Sequence, residues 1–388
     1  MKKIINKHLH IVMYICSILV LLLVVSCRKD AIIYTSSQKD VDPGYKNSPL
    51  LGFYLLNEGN MGMNRATIDF YDFRAGQYHT DIFSERNPTI VKELGDVGND
   101  IQIYGSKCYA VINCSNYIEV FDAYTGIHIK EIEVPNCRYM TFHGNKAYVS
   151  SYSGPVAIDP NAEIGFVAEI DTTTLELQRK VTVGYQPDEI VVKDNKLYCA
   201  NSGGYRVPDY DTTVSVVDLE SFKVIKTIDV AINLHRLELD HYGNLYVSSR
   251  GDYYKVAPNL YVIDTETDTV KKKLDIPVSE MTLSGDSLYY YSVAWSYNTG
   301  SNTVNYGIYD TKLQEVVNDH IITDGTDQEI MIPYGIAVNP INKDVYITDA
   351  QNYVVTGYVY CFSKEGKKKW SVEAGNIPAH FAFLYKHP

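Results

Sequence analysis

Tyr148-Val149-Ser150-Ser151 returns as Tyr246-Val247-Ser248-Ser249, and the same pattern, an apolar run opened by Tyr and closed by a small or polar residue, stands at five more places. These are Tyr54-Leu55-Leu56-Asn57, Tyr109-Ala110-Val111-Ile112-Asn113, Tyr198-Cys199-Ala200-Asn201, Tyr289-Tyr290-Tyr291-Ser292 and Tyr346-Ile347-Thr348-Asp349. From Tyr54 to Tyr346 the mean step is about 49 residues, the length of one unit in a repeat array. A second marker follows each first one, an alternating strand closing on Asp72, Asp122, Asp171, Asp218, Asp264 or Asp310, with Ser363 in the seventh place. Further alternating runs lie between the markers, such as Glu189-Ile190-Val191-Val192 and Lys223-Val224-Ile225-Lys226-Thr227-Ile228. Four short strands per unit, alternating with period two and not 3.6, define propeller blades. The fold class is all-β, a seven-bladed β-propeller. A pair of all-β domains is the other arrangement weighed. The first unit starts directly at its Tyr strand, and His380-Phe381-Ala382-Phe383 supplies the missing inner strand. The C-terminal strand therefore closes the ring in the first blade and removes exposed sheet edges.

Outward from the repeats, the N-terminus carries Lys2, Lys3 and Lys7 ahead of an apolar and small-residue run from Ile11 to Val25. That run, roughly 15 residues, is too short for a hydrocarbon core of about 30 Å and has the form of a signal peptide, residues 1–26. Val24-Val25-Ser26-Cys27 has the small-residue pattern of a lipoprotein cleavage site, which makes Cys27 the acylated first residue. Residues 27–50 are polar, with Ser36-Ser37 and Pro43-Gly44, and suit a flexible tether; residues 51–388 are the propeller. The formal charge of the chain is −12. Losing the signal peptide's three lysines makes it more negative still, so nucleic acid is a poor partner.

Cys108, Cys114, Cys137, Cys199 and Cys361 remain in the propeller, an odd number without any C-x-x-C, so neither a disulfide framework nor a zinc site is indicated. Cys114 and Cys137 fall on the same face of neighbouring blades, which leaves a bridge between them open.

The two faces of the ring differ. Turns such as Gly144-Asn145, Asp194-Asn195, Gly285-Asp286 and Thr125-Gly126 are tight hairpins. The opposite face carries residues 57–62, 152–165, 202–212, 250–259, 294–305 and 350–357, long loops rich in Tyr, Asn, Gly and Ser of the kind that hold binding residues. The innermost strands begin on that face. Three groups of candidate ligand-binding residues follow: Asp100, Arg138, Tyr139, Asp188, His235, Arg236, Tyr334 and His380 at the strand starts; Glu58, Tyr152, Arg250, Trp295, Tyr297 and Tyr353 in the loops; Asn57, Asn113, Asn201 and Asp349 at the marker ends. For the starting groups, pairing across a solvated hole is the plain alternative to ligand contact. The Asp that closes each third strand reads as turn chemistry, its carboxylate accepting from the following backbone. The patterns G-x-S-x-G, H-E-x-x-H, G-x-x-x-x-G-K and the Gly-rich dinucleotide fingerprint are absent. No catalytic residue, metal or cofactor is indicated, and the protein reads as a binder and not as an enzyme.

The Tyr-Val-x-Asn and Val-x-Val-x-Asp pattern resembles that of the YncE-like, DUF5074-like propellers along essentially the whole mature chain. Within it, Leu55-Leu56-Asn57-Glu58-Gly59-Asn60, Glu85-Arg86-Asn87-Pro88, Glu93 to Ile101 and Ile112-Asn113-Cys114-Ser115-Asn116 resemble the BtuG-type surface lipoproteins of gut Bacteroidetes. That resemblance implies capture of cobalamin and related corrinoids outside the cell, with hand-over to a TonB-dependent outer-membrane transporter of the BtuB type. It implies a lipid-anchored place on the outer membrane. Flat contacts would come from Trp295, Tyr297, Tyr152 and Tyr353, and polar ones, to amides and phosphate, from Arg138, Arg236, His235, Asp188 and Asn201. Arg28-Lys29-Asp30 departs from the group in carrying a single acid after Cys27. A glycan-binding or adhesin propeller and a metal-dependent lactonase or lyase are the other functional classes open to this sequence.

Overall fold

In a computed structural model, residues 36–89, 93–296 and 301–386 are described, without the side chains of 294–296 and 301–302. Seven antiparallel sheets stand in a ring, six of four strands and one of five. The five-stranded one is blade 1, in which Pro378–Tyr385 pairs with Leu50–Asn57, from Leu50 opposite Tyr385 to Asn57 opposite Pro378. The all-β, seven-bladed propeller and its closure by the C-terminal strand are thus as the sequence indicates. Innermost strands of the other blades are Gly98–Tyr104, Cys137–His143, Pro187–Lys193, Leu234–Leu239, Glu280–Ser284 and Pro333–Val338.

Each gap between neighbouring blades holds its own apolar cluster, and the Tyr markers explain the period. Tyr54, Tyr109, Tyr148, Tyr198, Tyr246 and Tyr346 are all buried and enter the cluster shared with the following blade, while the next residue faces the preceding one. Two of them also reach a turn of that following blade: Tyr54 donates to the Ala123 carbonyl at 3.0 Å, and Tyr198 to the Thr265 carbonyl at 3.2 Å. The Asp markers act as turn residues. Asp122 Oδ1 accepts from the amides of Tyr124 and Thr125 at 3.0 and 2.8 Å, and Asp264 Oδ1 from those of Glu266 and Thr267 at 2.9 and 3.0 Å.

Three features differ from the sequence reading. Ser37–Asp40, inside the segment read as a tether, forms a fifth strand on the outer edge of blade 1, Ser37 opposite Thr80 and Asp40 opposite Gln77. Its side chains are exposed and polar, so no alternation announces it; backbone pairing alone places it, helped by the bond from Tyr71 to Asp42 at 2.8 Å. The loop expected over 294–305 is mostly a hairpin, since Ser287–Ser296 and Ser301–Asp310 pair up to Ser296 opposite Ser301. The β-branched and aromatic residues of that stretch favour a pleated strand over a loop. A short helix, Ile82–Arg86, buries Ile82 and Phe83 between blades 1 and 2. Cys108, Cys114, Cys137, Cys199 and Cys361 are free thiols, so no bridge joins Cys114 to Cys137. Residues 1–26, Cys27 and the rest of the tether up to 35 lie outside the described residues.

Candidate ligand-binding site at the channel mouth

Six of the seven innermost strands carry a bulge near their start. In blade 4 the register runs from Pro187 opposite Asn201 directly to Ile190 opposite Cys199, so one extra residue is accommodated on the inner strand. Blades 1, 2, 3, 5 and 7 show the same shift, between Pro378 and His380, Gly98 and Asp100, Cys137 and Met140, Leu234 and Leu237, and Pro333 and Ile336. Consecutive residues, Asp188-Glu189 or His235-Arg236, thereby turn toward the axis, where a regular strand would send one of them into a gap between blades. The hydroxyl of the Tyr marker's small residue accepts an inner-strand amide there: Ser248 from Arg236 at 2.9 Å, Ser150 from Tyr139 at 3.1 Å, and Thr348 from Gly335 at 2.7 Å. That need accounts for Ser and Thr in the marker.

Asp188 is the hub of the site. Its fully buried carboxylate accepts from Arg138 Nε and Nη2, both at 3.2 Å, from the Tyr152 hydroxyl at 2.7 Å, from His235 Nδ1 at 3.1 Å and from Arg250 Nη1 at 3.2 Å. Burial alone would raise its pKa, but Arg138, His235 and Arg250 outweigh burial and hold it well below the usual carboxylate range. His235 is pushed well below the usual imidazole range by burial and by Arg250 and Arg236. A neutral ring with its proton on Nδ1 satisfies both neighbours, donating to Asp188 and accepting from Arg250 Nη2 at 2.9 Å through Nε2. The Arg138 guanidinium lies over the Tyr152 ring, 4.6 Å from its centroid, and that of Arg236 over Tyr139 at 4.8 Å.

Arg236 is paired with Glu280 through Nε at 2.8 Å and through Nη2, and its Nη1 lies 3.9 Å from Glu189. Burial, opposed by Arg236 and assisted by Glu238, pushes Glu189 up to about 8. A free Glu titrates near 4.5, so between these values the folded protein keeps a proton that the unfolded chain has released. Ionisation of Glu189 therefore costs stability progressively as pH rises from about 4.5 to about 8. Glu189→Gln, which keeps an acceptor for the Leu237 amide now bonded at 2.6 Å, is expected to raise the melting temperature at pH 9 and to change it little at pH 5. Thermal melts at both pH values check this; equal effects would contradict it.

Above these groups, on the long-loop face, opens a cavity of about 540 Å³. Its two sides differ. Blades 3 to 5 contribute Arg138, Tyr139, Val156, Tyr205, His235, Arg236 and Arg250, whereas blades 6, 7, 1 and 2 contribute most of the aliphatic lining, Met61, Val97, Val293, Ile332, Pro333 and Ile377, together with Tyr334 and Tyr353 and the polar Glu58, Asn99, Asn113, Ser279 and Glu280. Val97 and Ile377 have left-handed backbones, φ 60° and 55°. Asn136, Gln186 and Asn233 take the corresponding place before the inner strands of blades 3, 4 and 5 with similar φ. Asn is a usual residue for that conformation, while a β-branched side chain pays strain of order 1–3 kcal/mol there. Two strained apolar branches thus border the mouth.

Of the residues singled out by sequence, Glu58, Asn113, Arg138, Tyr139, His235, Arg236, Arg250, Tyr334 and Tyr353 line the cavity. Asp188 and Tyr152 support it from beneath. Asp100 is buried on the axis and accepts the Met140 amide at 2.8 Å; His380 meets Glu58 at 3.0 Å, and Tyr334 donates to the same carboxylate at 2.8 Å. Asn57, Asn201 and Asp349 do not line the cavity. All three are fully buried and lock strands and turns: Asn201 bonds the Gly184 amide, Thr213 and Ser215, Asn57 bonds Thr67, and Asp349 accepts the amides of Met331 and Ile332. A Cβ on Gly184 would stand 2.3 Å from Asn201 Cγ, so the glycine makes room for that lock. Tyr297 and the side chain of Trp295 lie outside the described residues. Tyr205, Glu280, Val97 and Ile377 line the cavity as well and are not among those candidates; Glu280 starts an inner strand as Asp188 does, so the same counting from the Tyr marker reaches it.

Fold and site together define a seven-bladed propeller with a polar, aromatic-walled cavity at one mouth of its channel. The chain belongs to the family of the domain of unknown function DUF5074, whose model matches residues 51–384. No curated protein matches it. Among solved structures, it is similar to a hypothetical selenium-binding protein from Sulfolobus tokodaii (TM-score 0.63, 12% identity, covering 89% of this chain and 100% of that one). A quinonprotein alcohol dehydrogenase-like protein from Bacteroides thetaiotaomicron gives 0.59 at 17% identity, covering 87% and 79%, and the Kuenenia stuttgartiensis hydrazine synthase 0.56 at 16%, covering 69% and 77%. At these identities the likeness concerns the fold alone.

Proposed function

We propose that the channel mouth captures a broad, partly apolar ligand with polar edges, and that this ligand is cobalamin or a related corrinoid. The observation that carries the reading is the two-sided cavity, with Arg138, Arg236 and Arg250 all on blades 3 to 5 and most of the aliphatic lining on blades 6, 7, 1 and 2, while tyrosines stand on both sides. A corrinoid has flat apolar faces and amide edges, which call for those two kinds of wall. The first-blade resemblance to BtuG-type lipoproteins, from Leu55 to Asn60 and from Glu93 to Ile101, adds the ligand's identity to that match. In this reading the protein is not an enzyme. It is a lipid-anchored capture protein of the outer membrane that passes its ligand to a BtuB-type, TonB-dependent transporter. Asp188 is already surrounded by Arg138, Tyr152, His235 and Arg250, and among the described residues no group of three His, Cys, Asp or Glu could hold a metal ion.

Calorimetry with cyanocobalamin tests the proposal. Wild type is expected to bind at micromolar protein or below, and a Tyr353→Ala, Arg250→Ala double variant at least tenfold more weakly, since a buried aromatic contact is worth about 2 kcal/mol. Absence of binding heat in the wild type would end the corrinoid reading. Anchoring is a separate matter: incorporation of a fatty-acid probe in cells is expected to vanish in Cys27→Ala, and equal labelling of both proteins would exclude acylation at Cys27.

A further inference from the structure

The cavity wall on blades 3 to 5 has more hydrogen-bond donors than the protein itself engages. Arg138 directs Nε and Nη2 to Asp188, and Arg250 directs Nη1 to Asp188 and Nη2 to His235. Among the described residues nothing accepts from Arg138 Nη1 or Arg250 Nε, although the Arg138 side chain is only 12% exposed and both residues line the cavity. Charge points the same way. Three guanidiniums, of Arg138, Arg236 and Arg250, face two paired carboxylates, Asp188 and Glu280. Glu280 pairs with Arg236 alone, so Arg138 and Arg250 share Asp188 as their one close carboxylate. Two guanidiniums with one shared counter-ion stand out in a chain of net charge −12.

We propose that this wall is an oxyanion subsite, in which Arg138 and Arg250 grip a singly charged phosphate-diester or carboxylate group of the ligand. Asp188 is its positioning residue. It fixes both guanidiniums from behind and, through His235, orients the second nitrogen of Arg250, so the free donors are set before a ligand arrives. The inference rests on the channel mouth being a ligand site, and it does not require that the ligand be a corrinoid.

Two measurements on the purified protein test it. In the first, inorganic phosphate and, separately, acetate are titrated at constant ionic strength against a chloride background, with binding read by calorimetry. At least one is expected to bind with a millimolar Kd, and Arg250→Gln to weaken it tenfold or more. Lys193→Gln, on the short-turn face, is expected to leave it unchanged. Arg138→Lys, which keeps the charge but loses the planar fork, serves as a second variant should Arg250→Gln fail to fold, and it too is expected to weaken binding. The second measurement compares cyanocobalamin with dicyanocobinamide, which lacks the nucleotide-loop phosphate; the former is expected to bind at least tenfold more tightly, and Arg250→Gln to erase the difference. Phosphate and acetate both failing to bind, or binding equally to wild type and variants, would overturn the subsite. Oxyanion binding with no binding of either corrinoid would leave the subsite standing and remove the corrinoid reading instead.

Discussion

Deleting residues 379–388 is expected to lower the melting temperature by about 10 °C or more and to broaden or abolish the cooperative transition. The segment is the inner strand of blade 1, paired with Leu50–Asn57 along its length. Ala382 and Leu384 are buried in the gap between blades 1 and 2, while Phe381 and Phe383 pack with Phe53 and Tyr346 in the gap between blades 7 and 1. Truncating one buried Leu or Phe costs about 2–5 kcal/mol, and several are lost together, against a total stability of about 5–15 kcal/mol for a typical domain. The deletion also bares the Leu50–Asn57 edge, with the attendant tendency to associate. Thermal melts followed by circular dichroism give the answer; a truncated chain that melts like wild type would show that closure is not where the ring's stability lies.

Replacing Asp188 by Ala is expected to destabilise the propeller by about 3–5 kcal/mol, because it leaves the buried Arg138 and Arg250 without their shared counter-charge. Tyr152 and His235 lose their acceptor at the same time. Asp188→Asn, which preserves shape and one oxygen, should cost less. The pH dependence has a definite sign. Arg138, His235 and Arg250 depress the folded pKa below the unfolded value near 3.8, so the stabilisation by Asp188 is fully present above that value and is lost as pH falls toward the folded pKa. Chemical denaturation at pH 7 and pH 3 checks both points. A cost below 1 kcal/mol for the Ala variant at pH 7 would remove Asp188 from the centre of the site.

Much of this was legible in the sequence because the repeat imposes one physical demand seven times. A Tyr that must fill the gap to the next blade, as Tyr54 and Tyr198 do, cannot drift in position, and an Asp that must accept two turn amides, as Asp122 does, is held in the same way. Counting back from the Tyr also located Arg138, Asp188, His235 and Arg236 on the axis. What was not legible is where a polar residue at a strand end points. Asn57, Asn201 and Asp349 look in sequence like Asn113, yet they turn into the blades while Asn113 borders the cavity. The bulges that aim paired residues at the axis leave no mark in composition, and neither do the left-handed backbones of Val97 and Ile377, since β-branched residues seldom adopt them. Ser37–Asp40 was hidden for the opposite reason: an exposed edge strand needs no alternation.

Hydrogen–deuterium exchange with and without cyanocobalamin examines the central claim, ligand capture at the long-loop mouth, most directly. The account predicts slowed exchange in residues 58–64, 136–139, 202–206, 233–236, 250–256 and 350–356, with no change in the tight turns of the other face around Gly144, Asp194 and Gly285. Unchanged exchange at the mouth under saturating cyanocobalamin, or protection confined to those tight turns, would contradict it.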